Sequence, residues 1–354
     1  MAYTPPVSPI RTGIIGLGYW GPNLLRTFGA DPDCELVWGC DLNIERHKKL
    51  QRQYPAVKFT ADVDDLLSDK SLDLILIATP TGTHFPLAKK VLEAGKHVFI
   101  EKPMARTTKE ADALLKLAKQ KKRQIFVDHT FVFAPAVQEM ARMAKKELGE
   151  LRYFDSTRIN LGLIQKDINV LWDLAIHDLS ILSAFLDLRD VKEVAAHGAA
   201  YVGSQEEVAH LHMTFRSGFS AHVHVSWLSP VKLRSVILCG SKAMITYDDT
   251  QPSEKLRVYD KGVEHKKTKA DLSAEALRGA KADPFFPVYR SGDIRIPALP
   301  STETLSLEAK HVMACLQGKE KPRASGEHGR SVVAILEAAD KSLKLKRTVP
   351  LPKK

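Results

Sequence analysis

The sequence predicts an α/β protein of two domains, with a doubly wound parallel sheet followed by an α+β domain on a large, mostly antiparallel open sheet. Three observations lead to this prediction. Apolar strand-like runs alternate with helix-like runs through the first 130 residues, a glycine-rich turn follows the first run, and period-two alternation dominates after residue 190. A chain of 354 residues is long for one core, so we expect a division into residues 10–130 and 131–354.

Five short apolar runs in the first part predict strands that are buried on both faces, as in a parallel sheet covered by helices. They are residues 11–15, 35–40, 72–78, 97–100 and 124–127. Apolar residues at helical spacing between them predict helices at 20–28, 44–53, 85–94 and 109–120, and a short acidic helix fits at 63–67. This alternation is typical of a doubly wound domain.

The second part begins with helices and then becomes rich in strands. Helices are predicted at 136–147 and 172–185, on either side of a strand at 151–159. Alternating segments at 191–201, 208–215, 219–227, 232–239 and 243–247 predict antiparallel strands. Pro, Gly and Ala residues in 271–300 predict a long surface excursion, and two helices are expected at 305–316 and 329–343.

Composition excludes several classes of protein. The chain is 27% charged and 44% hydrophobic, which is ordinary for a globular protein and excludes a fibrous or mostly disordered one. No apolar run approaches the roughly 18–20 residues that span a bilayer, and the start lacks the apolar stretch of a secretory signal, so we expect a cytoplasmic protein without a membrane partner. The net charge of +10 is spread along the chain without a nucleic-acid motif, so no nucleic-acid partner is expected. The four scattered cysteines predict reduced thiols and no metal site.

The glycine-rich turn is the first candidate site. Gly16, Gly18 and Gly21 stand in GxGxxG spacing after the first predicted strand and open the first helix, with Tyr19 and Trp20 between them. The first glycine allows a tight turn, the second lets the backbone approach a pyrophosphate, and the third lets helix and strand pack closely. A strand before and a helix after are the context that this motif needs, so we predict a Rossmann dinucleotide site.

Asp41 ends the second predicted strand, twenty residues after Gly21. A carboxylate there can accept both ribose hydroxyls of adenosine and would repel a 2′-phosphate, which favours NAD over NADP. Arg46 lies close in sequence and complicates that choice, and a helix cap is the structural alternative for Asp41.

Polar segments follow two later strands, where ligands of open α/β sheets bind. The first segment contributes the cofactor-site candidates Thr79, Pro80, Thr81 and His84, although its hydroxyls could simply cap the next helix. The second contributes Glu101 and Lys102 before Pro103, which fixes the backbone and aims the lysine.

Asp173 and His177 are four residues apart on the helix at 172–185 and therefore share a face. A carboxylate that orients an imidazole is a suitable acid–base unit, but spacing alone equally allows an ordinary charge pair. His210, His212, His222 and His224 form two i, i+2 pairs in predicted strands. Because no carboxylate or cysteine accompanies them at ligand spacing, we interpret them as polar sheet-face residues and expect no metal.

Together these segments resemble the glucose–fructose oxidoreductase, inositol dehydrogenase and rhizopine catabolism family (Gfo/Idh/MocA), over residues 13–345. The resemblance implies an NAD(P)-binding domain at 10–130, and a domain at 131–354 that binds substrate and builds homodimers or homotetramers. It also implies that Lys102, Asp173 and His177 are catalytic.

The function implied is NAD-dependent hydride transfer between nicotinamide and a secondary alcohol or ketone of a sugar or sugar nucleotide. An inositol (cyclitol) dehydrogenase and a non-catalytic NAD-sensing regulator remain alternatives. Lys102, Asp173 and His177 are then expected to contact the substrate, together with Asn160, Asn169 and Trp172.

Overall fold

The computed structural model describes residues 8–265 and 287–353. Within these ranges no helix combines the length and the apolar character that crossing a bilayer requires. The strands form two sheets, one of six strands and one of nine.

The N-terminal sheet is wholly parallel, in the order β3-β2-β1-β4-β5-β6. Its strands are β1 (Ile10–Ile15), β2 (Cys34–Cys40), β3 (Lys58–Thr60), β4 (Leu74–Ile77), β5 (His97–Ile100) and β6 (Ile125–Val127). Its helices are α1 (Gly21–Gly29), α2 (Ile44–Gln53), α3 (Val63–Ser68), α4 (His84–Glu93) and α5 (Thr108–Lys121). The predicted doubly wound sheet is confirmed, and β3 is the strand that the sequence did not predict.

Burial explains why the central strands could be found from their composition. All four residues of β4 are completely buried, because helices cover both faces of the sheet and leave no solvent side for polar residues. By contrast, β3 has three residues, the first of them exposed, so it carries no comparable apolar pattern.

The C-terminal sheet has the order β14-β13-β12-β11-β7-β10-β9-β8-β15 and is antiparallel except where β7 pairs with β10. Five of its strands are β7 (Leu151–Leu161), β8 (Val191–Ala199), β9 (Val208–Phe215), β10 (Ser220–Ser226) and β11 (Leu228–Gly240). The others are β12 (Met244–Asp248), β13 (Leu256–His265), β14 (Pro287–Arg295) and β15 (Val349–Pro350). This confirms the large, mostly antiparallel sheet.

The predicted surface excursion at 271–300 is wrong in its later part, because residues 287–295 form β14 and pair with β13. Both strands carry charged residues at adjacent as well as alternate positions, so neither shows the regular polar–apolar alternation that predicts a strand. Residues 271–286 of that prediction lie outside the described residues.

Four further helices complete the described fold: α6 (Pro135–Lys146), α7 (Ile176–Ser183), α8 (Thr304–Leu316) and α9 (Gly326–Leu345). A π-helical turn over Leu171–Ala175 leads directly into α7. α9 packs on β8 of the C-terminal sheet and on α5, which covers the N-terminal sheet. α8 packs on the N-terminal sheet, where Val312 and Met313 share an apolar cluster with Phe28 and Phe99.

The four histidines of β9 and β10 lie on the face of the C-terminal sheet opposite the buried Leu211 and Val223. The rings of His210 and His224 stack with centroids 4.3 Å apart, and those of His212 and His222 lie 4.4 Å apart. Their predicted position on the polar face of the sheet is confirmed.

Candidate active site

The glycine turn has the backbone shape that the motif requires. Gly16 has a φ of +96°, and a Cβ at this position would collide with the carbonyl oxygen of Ala78 on the neighbouring strand. A Cβ on Gly21 would collide with the carbonyl oxygen of Gly16. No side chain caps the start of α1, so its N-terminal dipole faces the turn. This cradle fits a pyrophosphate.

Tyr19 and Trp20, on the outer side of the turn, are 92% and 43% exposed. Their side chains therefore have room to contact a dinucleotide laid across the turn. Gly18 lies beside the Arg46 guanidinium, which a Cβ would approach to 3.6 Å.

Asp41 is bonded into the same turn. Its Oδ2 accepts hydrogen bonds from the Leu17 amide at 2.7 Å and from Arg46 Nη1 at 2.9 Å, and its Oδ1 accepts one from the Asn43 amide at 2.8 Å. Burial alone would raise the pKa of Asp41, but these hydrogen bonds and the Arg46 charge lower it below its ordinary value. An ionised carboxylate therefore stands at the end of β2.

The two later strand ends are joined through His84, which is buried. Its Nδ1 lies 2.7 Å from the Pro103 carbonyl oxygen and its Nε2 lies 2.8 Å from that of Thr79. Thr79, Pro80 and Thr81 are partly or fully exposed beside it. The Lys102–Pro103 peptide bond is cis. His84 thus fixes the distance between the two predicted segments and has no ring nitrogen left for a ligand.

Lys102, which follows β5, and Asp173, in the π-helical turn before α7, are in direct contact. Lys102 Nζ donates to Asp173 Oδ1 at 3.1 Å and to the Asp173 carbonyl oxygen at 3.0 Å. The other carboxylate oxygen, Oδ2, accepts a hydrogen bond from Trp227 Nε1 at 3.0 Å. The structure therefore brings together two candidates that are 71 residues apart in the sequence.

His177 is partly exposed, and its Nδ1 is buried without a hydrogen-bond partner. Its ring packs edge-on against Phe131 at 5.3 Å, and the Arg158 guanidinium covers the same Phe131 ring at 4.6 Å. Burial, with the nearby Lys102 and Arg158 cations, lowers the pKa of His177 well below its ordinary value. The imidazole is therefore neutral at physiological pH.

The expected hydrogen bond from Asp173 to His177 is absent among the described contacts, so Asp173 does not orient the imidazole as predicted. The π turn widens the backbone at Leu171–Ala175, which disturbs the i, i+4 alignment assumed from the sequence. The Asp173 carboxylate turns instead to Lys102 and Trp227.

Asn169 and Trp172 have the polar atoms of their side chains in hydrogen bonds within the protein, and their contact with the substrate stays a prediction. Asn169 Oδ1 accepts from the amides at 171 and 172, and its Nδ2 donates to Glu206 and Asp340. Trp172 is 6% exposed and its Nε1 donates to Asp340 at 2.8 Å. Neither side chain has a polar atom free for a ligand. Asn160 differs from them, because it is half-buried near the end of β7 and its side chain makes no hydrogen bond to the described residues.

Glu101 is buried in a cluster with Asp128 and Glu308. Burial and the neighbouring Asp128 raise the pKa of Glu101 well above its ordinary value, and the same two causes raise that of Glu308. Glu101 Oε2 accepts a hydrogen bond from the Lys102 amide at 3.1 Å, so it helps to fix the backbone of the lysine. A direct contact of Glu101 with the cofactor stays a prediction.

Sequence reasoning missed Trp227, Phe131 and Glu308. Phe131 follows β6, so its place beside a strand end was the available signal. Trp227 and Glu308 are distant in sequence from every motif and carried no signal.

Two family models match this chain. The GFO_IDH_MocA model, an oxidoreductase family with an NAD-binding Rossmann fold, matches residues 10–129. The GFO/IDH/MocA C-terminal domain model matches residues 138–246.

Curated relatives include two dehydrogenases. UDP-N-acetylglucosamine 3-dehydrogenase of Acidithiobacillus ferrooxidans is 33% identical over 218 residues, which cover 61% of this chain and 67% of that protein. The NADP⁺-dependent scyllo-inositol 2-dehydrogenase of Bacillus subtilis is 23% identical over 378 residues, covering 98% of this chain and 97% of that protein.

Solved structures share the fold over nearly the whole chain. UDP-N-acetylglucosamine 3-dehydrogenase of A. ferrooxidans matches with a TM-score of 0.76 and 25% identity, covering 96% of this chain and 99% of that one. GenD2 from gentamicin A biosynthesis, in complex with NAD, matches with a TM-score of 0.78 and 22% identity, covering 99% and 100%.

Proposed function

Since this chain belongs to the Gfo/Idh/MocA family of oxidoreductases, we propose that it is an NAD-dependent dehydrogenase of sugars or sugar nucleotides. It moves a hydride between nicotinamide and a secondary alcohol or ketone. The observation that carries this proposal is the meeting of Lys102 and Asp173, with a neutral His177 nearby, at the carboxyl edge of the parallel sheet from which the glycine turn also leaves.

The cofactor would be held by residues of the turn. The backbone at Gly16, Gly18 and Gly21 would carry the pyrophosphate, and Asp41 would face the adenosine ribose. When bound, nicotinamide supplies the hydride acceptor or donor. The ionised state of Asp41 favours NAD, although Arg46 beside it and the NADP⁺-dependent B. subtilis relative leave room for a secondary use of NADP.

Lys102 and His177 divide the proton work. An ammonium group has three hydrogens, and two of those on Lys102 already point at Asp173, so one is left for the substrate oxygen. That hydrogen bond stabilises negative charge on the oxygen as the hydride leaves the carbon. Neutral His177 can accept the hydroxyl proton at Nε2. The reverse assignment holds in the direction of reduction, where the Lys102 ammonium would donate its proton to the alkoxide oxygen and become a neutral amine, with the same contacts.

A cyclitol is the second candidate substrate, and the inositol dehydrogenase relative favours it. A cyclitol and a sugar present the same secondary alcohol to the site. A non-catalytic NAD sensor is less well supported, because a sensor has no need of paired proton-transfer groups such as Lys102 and His177.

We extend the proposal to assembly and location. The open face of the C-terminal sheet would build a homodimer or homotetramer, and the four free cysteines favour the reducing cytoplasm. A cofactor domain at 10–130 and a substrate domain at 131–354 remain our working division.

The direct test is a spectrophotometric screen at 340 nm of sugars, sugar nucleotides and inositols with NAD and NADP. We expect NADH formation with at least one substrate class, and losses of about 100-fold or more in kcat for Lys102→Met and His177→Ala. Lys89→Met, an exposed lysine on α4, is the matched control and keeps full activity. Near-normal rates in both site variants contradict the catalytic assignment, whereas tight NAD binding without turnover of any polyol favours the sensor.

A further inference from the structure

Trp227 follows β10 and is fixed by two backbone hydrogen bonds and by the packing of its ring. It is 1% exposed, its amide donates to the Glu207 carbonyl at 2.9 Å, and its own carbonyl accepts the Gly162 amide at 2.9 Å. A Cβ on Gly162 would come within 2.8 Å of the indole Cδ1, so the backbone after β7 packs closely against the ring. The indole therefore has little freedom to move.

The indole N–H of Trp227 donates to the Asp173 carboxylate, which also binds Lys102. Trp227 Nε1 bonds Asp173 Oδ2 at 3.0 Å, while Lys102 Nζ bonds Oδ1 at 3.1 Å. A carboxylate with a single partner can rotate about its terminal bond, but one with a fixed partner on each oxygen has one orientation.

We propose that Trp227 is a positioning residue, whose indole N–H fixes the Asp173 carboxylate so that Oδ1 stays on Lys102 and aims the third ammonium hydrogen at the substrate oxygen. The expected effect on kcat rests on the proposed function, whereas the fixed orientation of the Asp173 carboxylate does not. A small misplacement of a catalytic group lowers the rate more than it weakens binding, so the effect belongs in kcat.

The kinetic test is a double-mutant cycle of Trp227→Phe with Asp173→Ala. Phe retains an aromatic ring with most of the indole volume, and it removes the N–H together with the five-membered part of the ring, so the Asp173→Ala background separates the lost hydrogen bond from the lost packing. We expect Trp227→Phe to lower kcat about tenfold with KM changed by less than about twofold, and to add almost nothing when Asp173 is already Ala. Equal losses in both backgrounds overturn the proposal, because they indicate a general packing role. Gly162→Ala displaces the ring without removing it and should lower kcat in the same Asp173-dependent way.

The matched control is Trp38→Phe, since Trp38 Nε1 also donates to an aspartate, Asp69, at 2.8 Å, but on β2 of the N-terminal sheet. We expect it to leave kcat unchanged in both backgrounds.

A second readout does not need activity. The chain has four tryptophans, whose indole N–H signals in an NMR spectrum can be assigned with single Phe variants. Asp173→Ala should move the Trp227 signal and speed its hydrogen exchange, while the Trp38 signal stays in place. An unchanged Trp227 signal overturns the positioning role. If Asp173→Ala keeps full activity, the proposed function has failed, and the indole signal alone still decides whether Trp227 fixes this carboxylate.

Discussion

The negative charge of Asp41 is maintained by two backbone amides and by Arg46. The amides of Leu17 and Asn43 and the Arg46 guanidinium donate hydrogen bonds to its two oxygens, and with the Arg46 charge they lower its pKa despite partial burial. A 2′-phosphate at this place would meet a carboxylate that cannot readily be neutralised by protonation.

We therefore expect Asp41→Asn to change the choice of dinucleotide. The amide removes the charge and leaves Arg46 unpaired beside the ribose, so the ratio of kcat/KM for NAD to that for NADP should fall at least about tenfold. Adding Arg46→Gln to this variant should remove the gain for NADP. Initial rates with both cofactors give the ratio, and an unaltered ratio in Asp41→Asn argues against the role of the charge.

Single residues of the site also differ in how far they could be predicted. Lys102 could be identified because its strand end and the following proline are local features. The partners of Asp173 could not, because helical spacing pointed to His177, while the actual donors, Lys102 and Trp227, lie 71 and 54 residues away on other elements. Local periodicity carries no information about such contacts.

Helix α8 brings a carboxyl group into the interior beside two others. Glu308 is 1% exposed, and its carboxyl group faces Asp128 and Thr130 near Glu101. Its raised pKa means that the folded protein holds a proton that the unfolded chain releases near pH 4.5. The protein consequently loses stability as the pH rises from about 4.5 towards the folded pKa.

Glu308→Gln should remove most of this pH dependence. We expect the free energy of unfolding of the variant to match the native protein near pH 5 and to exceed it at pH 8, with a difference that grows by up to about 1.4 kcal/mol per pH unit in the titrating range. Urea unfolding at several pH values measures it, with the exposed Glu93→Gln on α4 as control. Parallel pH curves for native and Glu308→Gln protein would mean that the proton is held elsewhere in the cluster.

Elements were predictable where burial is two-sided or alternation is regular. β5 and β9 satisfy one of these conditions and were found with their observed bounds. β3 is too short to show a pattern, and β13 carries charges at several of its ten positions. The π turn before α7 cannot be seen in the sequence, because its residues fit a regular helix equally well.

At the scale of the molecule, the N-terminal sheet is covered in part by the far end of the chain. α8 supplies Leu305, Val312 and Met313 to the apolar cluster around Phe28 and Phe99. The amphipathic pattern of residues 305–316 predicts a helix with an apolar face, but it cannot say which sheet covers that face.

A fragment of residues 1–130 should therefore be unstable alone. Without α8 it exposes the Phe28 and Phe99 side of its core, so we expect a molten, dye-binding species with no cooperative thermal transition. The full chain should unfold with both sheets in one calorimetric transition. A fragment that melts sharply by itself would contradict this coupling and would support an autonomous domain at residues 10–130.

The late arrival of α8 has a consequence for biosynthesis. A ribosome makes the six strands of the first sheet early, yet the helix that closes one side of it begins only at Thr304. For most of translation the nascent polypeptide carries an uncovered aromatic surface, which is the kind of segment that chaperones bind. Maturation of this enzyme should thus wait for release of almost the entire chain, and its yield in a cell should respond to chaperone supply.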